Sequence, residues 1–175
     1  VPSVANTRIV FKNGTEIRAI RDADTNVANL ILYPNALLID GLATYDFFNT
    51  STYMPEDLNV DPLVGNVGSI NVTVAATVNL HAHRARALNQ NANGDAVCLE
   101  TSAAATVNLF GCDLEATGTN ATGIRNNGAT INVRAGCRIK GNTNLAINNI
   151  SGTVNVSPNA DVINGTTGSI TALAT

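Results

Sequence analysis

Charge is scarce in this chain. Of 175 residues, 10 are Lys or Arg and 13 are Asp or Glu, giving a net charge of −3. A nucleic-acid binder presents a basic face, so no nucleic-acid partner is expected. Aromatic residues are also few, with four Phe, three Tyr and no Trp. Platforms of rings that grip sugars are therefore not expected. No apolar run approaches the ~20 residues that cross a bilayer, so no membrane span is expected. The cysteines number three, an odd count that gives little support to a disulfide framework. Cys98, Cys112 and Cys137 read instead as small buried hydrophobes of a chain made in a reducing compartment. A zinc set needs closer Cys pairs with His nearby, and the two histidines lie elsewhere, so neither metal nor cofactor is expected. Gly-x-Ser-x-Gly, a phosphate-cradling Gly loop and His-Glu-x-x-His are all missing. Long runs of 3.6-residue periodicity are missing after about residue 65, which argues against a helical solenoid.

Asn (25) and Thr (20) carry the polar load, and they recur in order. Thr77-Val78-Asn79-Leu80, Thr106-Val107-Asn108-Leu109, Thr130-Ile131-Asn132-Val133 and Thr153-Val154-Asn155-Val156 are four versions of one tetrapeptide, at offsets of 29, 24 and 23 residues. A repeat this short cannot bury a core alone and must stack on copies of itself. A second column follows each copy: Cys112 with Leu114, Cys137 with Ile139, Ala160 with Val162. A third is read in Ile124, Ile147 and Ile170, with Val97 as the counterpart in the first copy. Gly and Asn between the columns tolerate the positive φ of sharp corners. Alternation within each piece puts Val and Leu on one face and Asn on the other. The reading is an all-β fold of three short strands per coil, about four to five coils, with like residues stacked in parallel about 4.8 Å apart. In the longer first coil the surplus falls in residues 89–94, and Arg86 is read opposite Cys112.

Residues 1–66 lack the repeat and are read as a separate N-terminal module, a β-meander that caps and attaches; residues 67–175 form the solenoid. Asn13-Gly14 between Arg8–Lys12 and Thr15–Ile20 is a hairpin signal. Runs at 27–33 and 36–39 supply two more strands. Residues 42–66, with Tyr45, Phe47, Phe48 and Tyr53, read as a long loop packed on something.

Candidate chemistry is sparse. His81 and His83, two apart on a strand, are expected to point the same way and could bind a metal or move a proton. Asp113 and Glu115 flank inward Leu114 and point outward. Paired carboxylates cleave glycosidic bonds at separations of ~5–9 Å, so these four residues are the catalytic candidates if the chain is an enzyme. The stronger expectation is structural: Arg138 and Lys140 on the next coil match them as opposite charges on adjacent rungs. Asp22, Asp24, Glu56, Asp57 and Asp61 read as solvated loop residues. The outward column Asn79, Asn108, Asn132 and Asn155 is the candidate binding face, on top of its role as an amide ladder.

From Thr77 to Val156, these columns resemble a right-handed parallel β-helix of the kind found in bacteriophage tailspikes and related virion surface proteins. The resemblance covers roughly residues 67–175 and rests on period and ladder pattern. It implies a homotrimer on the virion surface, attached to other virion proteins through an N-terminal module, with host polysaccharide bound or cleaved. The chain has far fewer coils than tailspike depolymerases and no clustered acidic groove. A non-enzymatic decoration, fibre or spike component is the favoured reading. A small polysaccharide lyase or hydrolase, and an extracellular adhesin or ice-binding solenoid, are the alternatives.

Overall fold

The computed structural model describes residues 7–18, 35–53, 66–89, 95–142 and 145–173. Among them every regular element is a strand. The strands form three parallel ladders. The first stacks β1 (Thr7–Phe11), β4 (Ala43–Phe48), β7 (Thr77–His81), β10 (Thr106–Phe110), the second part of β12 (Asn120–Val133), the second part of β14 (Ile147–Val156) and β17 (Ile170–Ala172). The second stacks β2 (Glu16–Arg18), β5 (Ser51–Tyr53), β8 (Arg84–Asn89), β11 (Asp113–Gly118), β13 (Arg138–Lys140) and β15 (Asp161–Ile163). The third stacks β3 (Asn35–Ile39), β6 (Asn66–Val72), β9 (Asp95–Thr101), the first parts of β12 and β14, and β16 (Thr166–Thr167). The first and third ladders are limbs of one 11-stranded sheet, because β12 and β14 run through the bend; the second is a separate sheet of six strands. The described residues are all-β, with parallel sheets curled around one core in a solenoid-like stack.

Alternation explains the packing. In β7 and β10 the pattern is half-buried, buried, half-buried, buried, half-buried. Tyr45, Val78, Val107, Ile131 and Val154 therefore lie over one another inside, and Phe47, Leu80, Leu109 and Val133 form the next column. β-Branched side chains suit such columns because their restricted χ1 packs well on a pleated surface. Each fully buried Val, Leu or Ile contributes about 1.5–3 kcal/mol. Tyr45 keeps its place in the core by donating its phenol to the carbonyl of Gly41 at 2.9 Å.

Several details depart from the sequence-based reading. The hairpin at Asn13-Gly14 does not form. β1 pairs with β4 and β2 with β5, both parallel, so no meander arises from these strands. Asn-Gly supplies a positive φ, 81° at Gly14, and a solenoid corner needs that as much as a hairpin does. The stretch 42–66 is not one long loop: its first part is β4 and β5, and Tyr45 and Phe47 are core. Among the described residues, strands from both sides of residue 66 share the same ladders. Leu99, not Val97, lies beside Ile124. Ile170 pairs with Val154 in the first ladder, while Ile147 faces Thr166, so the 23-residue step from Ile147 to Ile170 is coincidental. Arg86 pairs with Glu115, which leaves His83 next to Cys112. The expected loop at 90–94, the run at 27–33 and the acidic residues 22, 24, 56, 57 and 61 lie outside the described residues.

Two glycines separate the effects of φ and space. Gly111 has φ 59° with nothing within 4 Å of an added Cβ, whereas at Gly152 (φ 88°) that Cβ would sit 2.4 Å from the Ala129 carbonyl oxygen. Gly111→Ala should cost about 1–2 kcal/mol through φ alone. Gly152→Ala should cost roughly 3 kcal/mol or more because backbone must also move. Urea midpoints of the two variants give the comparison.

Candidate functional site

The outer face of the first ladder carries the amide column. Alternation places Asn79, Asn108, Asn132 and Asn155 outward and in register. Their side chains form a chain of hydrogen bonds in one direction. Asn155 donates to Asn132 at 2.8 Å, Asn132 to Asn108 at 2.8 Å, Asn108 to Asn79 at 2.9 Å, and Asn79 to a carboxylate oxygen of Asp46 at 2.9 Å. Arg8 donates to the other Asp46 oxygen. Burial pushes the Asp46 carboxyl up, but the hydrogen bonds from Arg8 and Asn79 prevail and hold it below the usual range. Aligned amides polarise one another, so such a chain stiffens the face. Asp46 and Arg8 were not picked out from the sequence. The signal was there in Thr44-Tyr45-Asp46-Phe47, the same Thr-apolar-polar-apolar frame as Thr77-Val78-Asn79-Leu80.

Next to the amides runs a column of rings. His81 is sandwiched between Phe48 at 4.7 Å and Phe110 at 4.5 Å, nearly parallel to both, and Arg134 lies over Phe110. Sequence reading missed this row because its members differ in type. His81 has both faces covered and Phe110 lies between His81 and Arg134, while Phe48 at the end of the row is 37% exposed.

His81 and His83 do not act together. Ala82 between them has φ 49°, which turns the chain at the corner. His81 stays on the outer face, while His83 is buried at 1% exposure. Inside, His83 Nδ1 is 2.7 Å from the Thr50 hydroxyl and Nε2 is 3.0 Å from that of Thr52, which accepts from Ser69 at 2.6 Å. Burial pushes the imidazole down to about 4, so at neutral pH it is uncharged.

Asp113 and Glu115 do point outward from β11, as alternation requires. Both are neutralised by neighbouring rungs. Asp113 pairs with Arg86 and with Arg138 at 3.0 Å; Glu115 pairs with Lys140 at 2.5 Å and Arg138 at 3.4 Å. At Asp113 burial acts upward, but bonds from Arg86 and Arg138 hold the carboxyl below its ordinary value. At Glu115 the Lys140 bond, with Arg138, does the same against burial. Neither carboxyl is poised to give up a proton near neutrality, as a glycosidase acid must. These are cross-rung charge pairs of the kind the sequence suggested.

A second polar row lies inside the bend between the third and first limbs. Thr101 donates to Asn126 at 2.6 Å, and Asn126 donates to Asn149 at 3.0 Å and to the Ala129 carbonyl at 3.0 Å. These bonds satisfy polar groups that the sharp turn would otherwise leave buried and unpaired. Among the described residues, no group of His, Cys, Asp and Glu is arranged to hold a metal ion, and no helix is long and apolar enough to cross a membrane. Comparison with known protein families, with characterised proteins and with solved structures gives no match.

Proposed function

We propose that the chain is a short right-handed parallel β-helix that serves as a non-enzymatic structural component of a virion surface: a decoration, fibre or spike element. In this reading it assembles as a homotrimer, meets other virion proteins through its N-terminal end, and contributes to attachment to host polysaccharide. The observation that carries the non-enzymatic part is the way the outward polar groups are spent. The amides bond along their own column and the Asp113/Glu115 pair is saturated by Arg86, Arg138 and Lys140. Such a surface suits a rigid, nearly neutral rod better than a reaction centre. The virion assignment rests on the resemblance in period and ladder pattern.

Light scattering on the eluting protein at micromolar concentration is expected to give three times the chain mass; a clean monomer would remove the trimeric virion reading. Incubation with capsular or lipopolysaccharide glycans is expected to yield no new reducing ends and no unsaturated products. Turnover that Asp113→Asn abolishes would establish the carbohydrate-active alternative instead. An adhesin or ice-binding role is favoured by one observation. Thr44, Thr77, Thr106, Thr130 and Thr153 stand in register beside the amides, one threonine more than the tetrapeptide repeat shows.

A further inference from the structure

We propose that Cys112 and Cys137 are a modification site: they form a disulfide staple between adjacent turns by exchange with a small-molecule disulfide. The two cysteines precede Asp113 and Arg138, which are paired neighbours in the second ladder. Their Cα atoms are thus about one strand spacing apart, ~4.8 Å, and inside the ~4.4–6.8 Å that a disulfide spans. Both side chains are buried at 1% exposure in one inward column. The amide N–H of Cys112 already donates to Cys137 Sγ, 3.4 Å away, while the Cys112 thiol donates to the Leu80 carbonyl at 3.1 Å. The ladder already holds the two residues side by side; for sulfur to reach sulfur, the Cys112 side chain has to turn away from the Leu80 carbonyl.

The pair is asymmetric, which sets the order of events. The adjacent Cys112 side chain and backbone hydrogen bonds hold the Cys137 thiol below its ordinary value against the effect of burial, whereas the neighbouring Cys137 and burial push Cys112 up. Cys137 also follows the exposed corner Arg134-Ala135-Gly136, where Gly136 has φ 75°. The Cys137 thiolate attacks one sulfur of the small disulfide, breaking its S–S bond, forming a mixed disulfide and releasing one small thiol. Cys112 then gives its proton to water, its sulfur attacks the Cys137 sulfur, and the second small thiol leaves. Two protein S–H groups and one small disulfide become one protein disulfide and two small thiols. His83, next in the column, is not the base, since both its nitrogens are held by Thr50 and Thr52. Cys98 stays out: its sulfur lies 3.6 Å from the Ala85 carbonyl oxygen and burial pushes its thiol up to about 12.

The test exposes the native full-length chain to oxidised glutathione, then traps remaining thiols with an alkylating agent after unfolding. The expected product has lost two hydrogens, carries one alkyl group at Cys98, and gives a cross-linked peptide containing Cys112 and Cys137. Its melting temperature rises by roughly 5–10 °C and returns to the starting value on reduction. Cys112→Ser is expected to stop at a glutathione adduct on Cys137, and Cys137→Ser to give no adduct. Three alkylated cysteines after exposure that fully oxidises a small dithiol in the same tube would overturn the proposal. So would a cross-link through Cys98. The wild-type mass decides the matter even if a serine variant fails to fold.

Discussion

Ile131→Asp unfolds the protein at neutral pH, while Thr130→Asp, one residue earlier, leaves it folded. Ile131 has no exposed surface and lies between Val107 and Val154 in the inward column. A carboxylate there has no cationic partner among those neighbours. Removing an ion from water without a partner is more costly than a domain of ordinary stability tolerates, and the cavity left by the lost isoleucine adds to it. The expected loss is about 5 kcal/mol, against a typical total of ~5–15 kcal/mol. Thr130 is exposed, between Thr106 and Thr153, and its substitution should change stability by no more than ~0.5 kcal/mol. Circular dichroism and urea titration of the two variants read the result. Equal behaviour would mean that inside and outside have been assigned wrongly along β12.

Acid should weaken the fold well before the carboxylates titrate. His83 is held at about 4 in the folded chain, against an ordinary 6.5. Between those values the unfolded chain binds a proton that the folded chain refuses, so stability rises with pH across the window. The contribution is whole above about pH 6.5 and falls away as pH drops toward 4, a loss on the order of 3 kcal/mol. Asp46, Asp113 and Glu115 are shifted down, so their stabilisation is present above the ordinary carboxylate range and is lost at lower pH than that of His83. The two groups therefore act in successive windows. His83→Gln keeps a donor and an acceptor for Thr50 and Thr52 but cannot take the proton. Its urea midpoint should be nearly level from pH 7 to pH 5, where that of the wild type declines. A wild-type midpoint level over the same range would show that His83 is not sealed from water.

What could be read in the sequence, and what could not, divides along physical lines. The columns from Val78 to Val154 and from Asn79 to Asn155 were legible because the same residue types recur where the same environment recurs. The charge pairs of β11 and β13 were legible because opposite signs fell at matched positions. The first coils were hidden for the opposite reason. Tyr45 and Phe47 fill with aromatic bulk the places that later turns give to Val and Leu. The alternation is unchanged, but identity no longer marks it. Local signals misled where two structures need the same backbone, as at Asn13-Gly14. Spacing misled where a corner changes length, so that Ile170 kept a 23-residue step yet joined another ladder. The candidate site was legible as a row of amides but not as a bonded row, because its anchor is an aspartate outside the repeated tetrapeptide.

That anchor has a consequence for the amides beyond it. An amide side chain can sit either way round, and a stack of them alone has two equally good senses. A carboxylate can only accept. Asp46 therefore obliges Asn79 to turn its NH2 group toward it, which leaves the Asn79 oxygen toward Asn108 and fixes that residue in turn, and so on to Asn155. One ionised group settles the orientation of four neutral ones, the last of them several rungs distant. Asp46→Asn would erase that instruction while keeping the shape, and the row would be free to run in either sense.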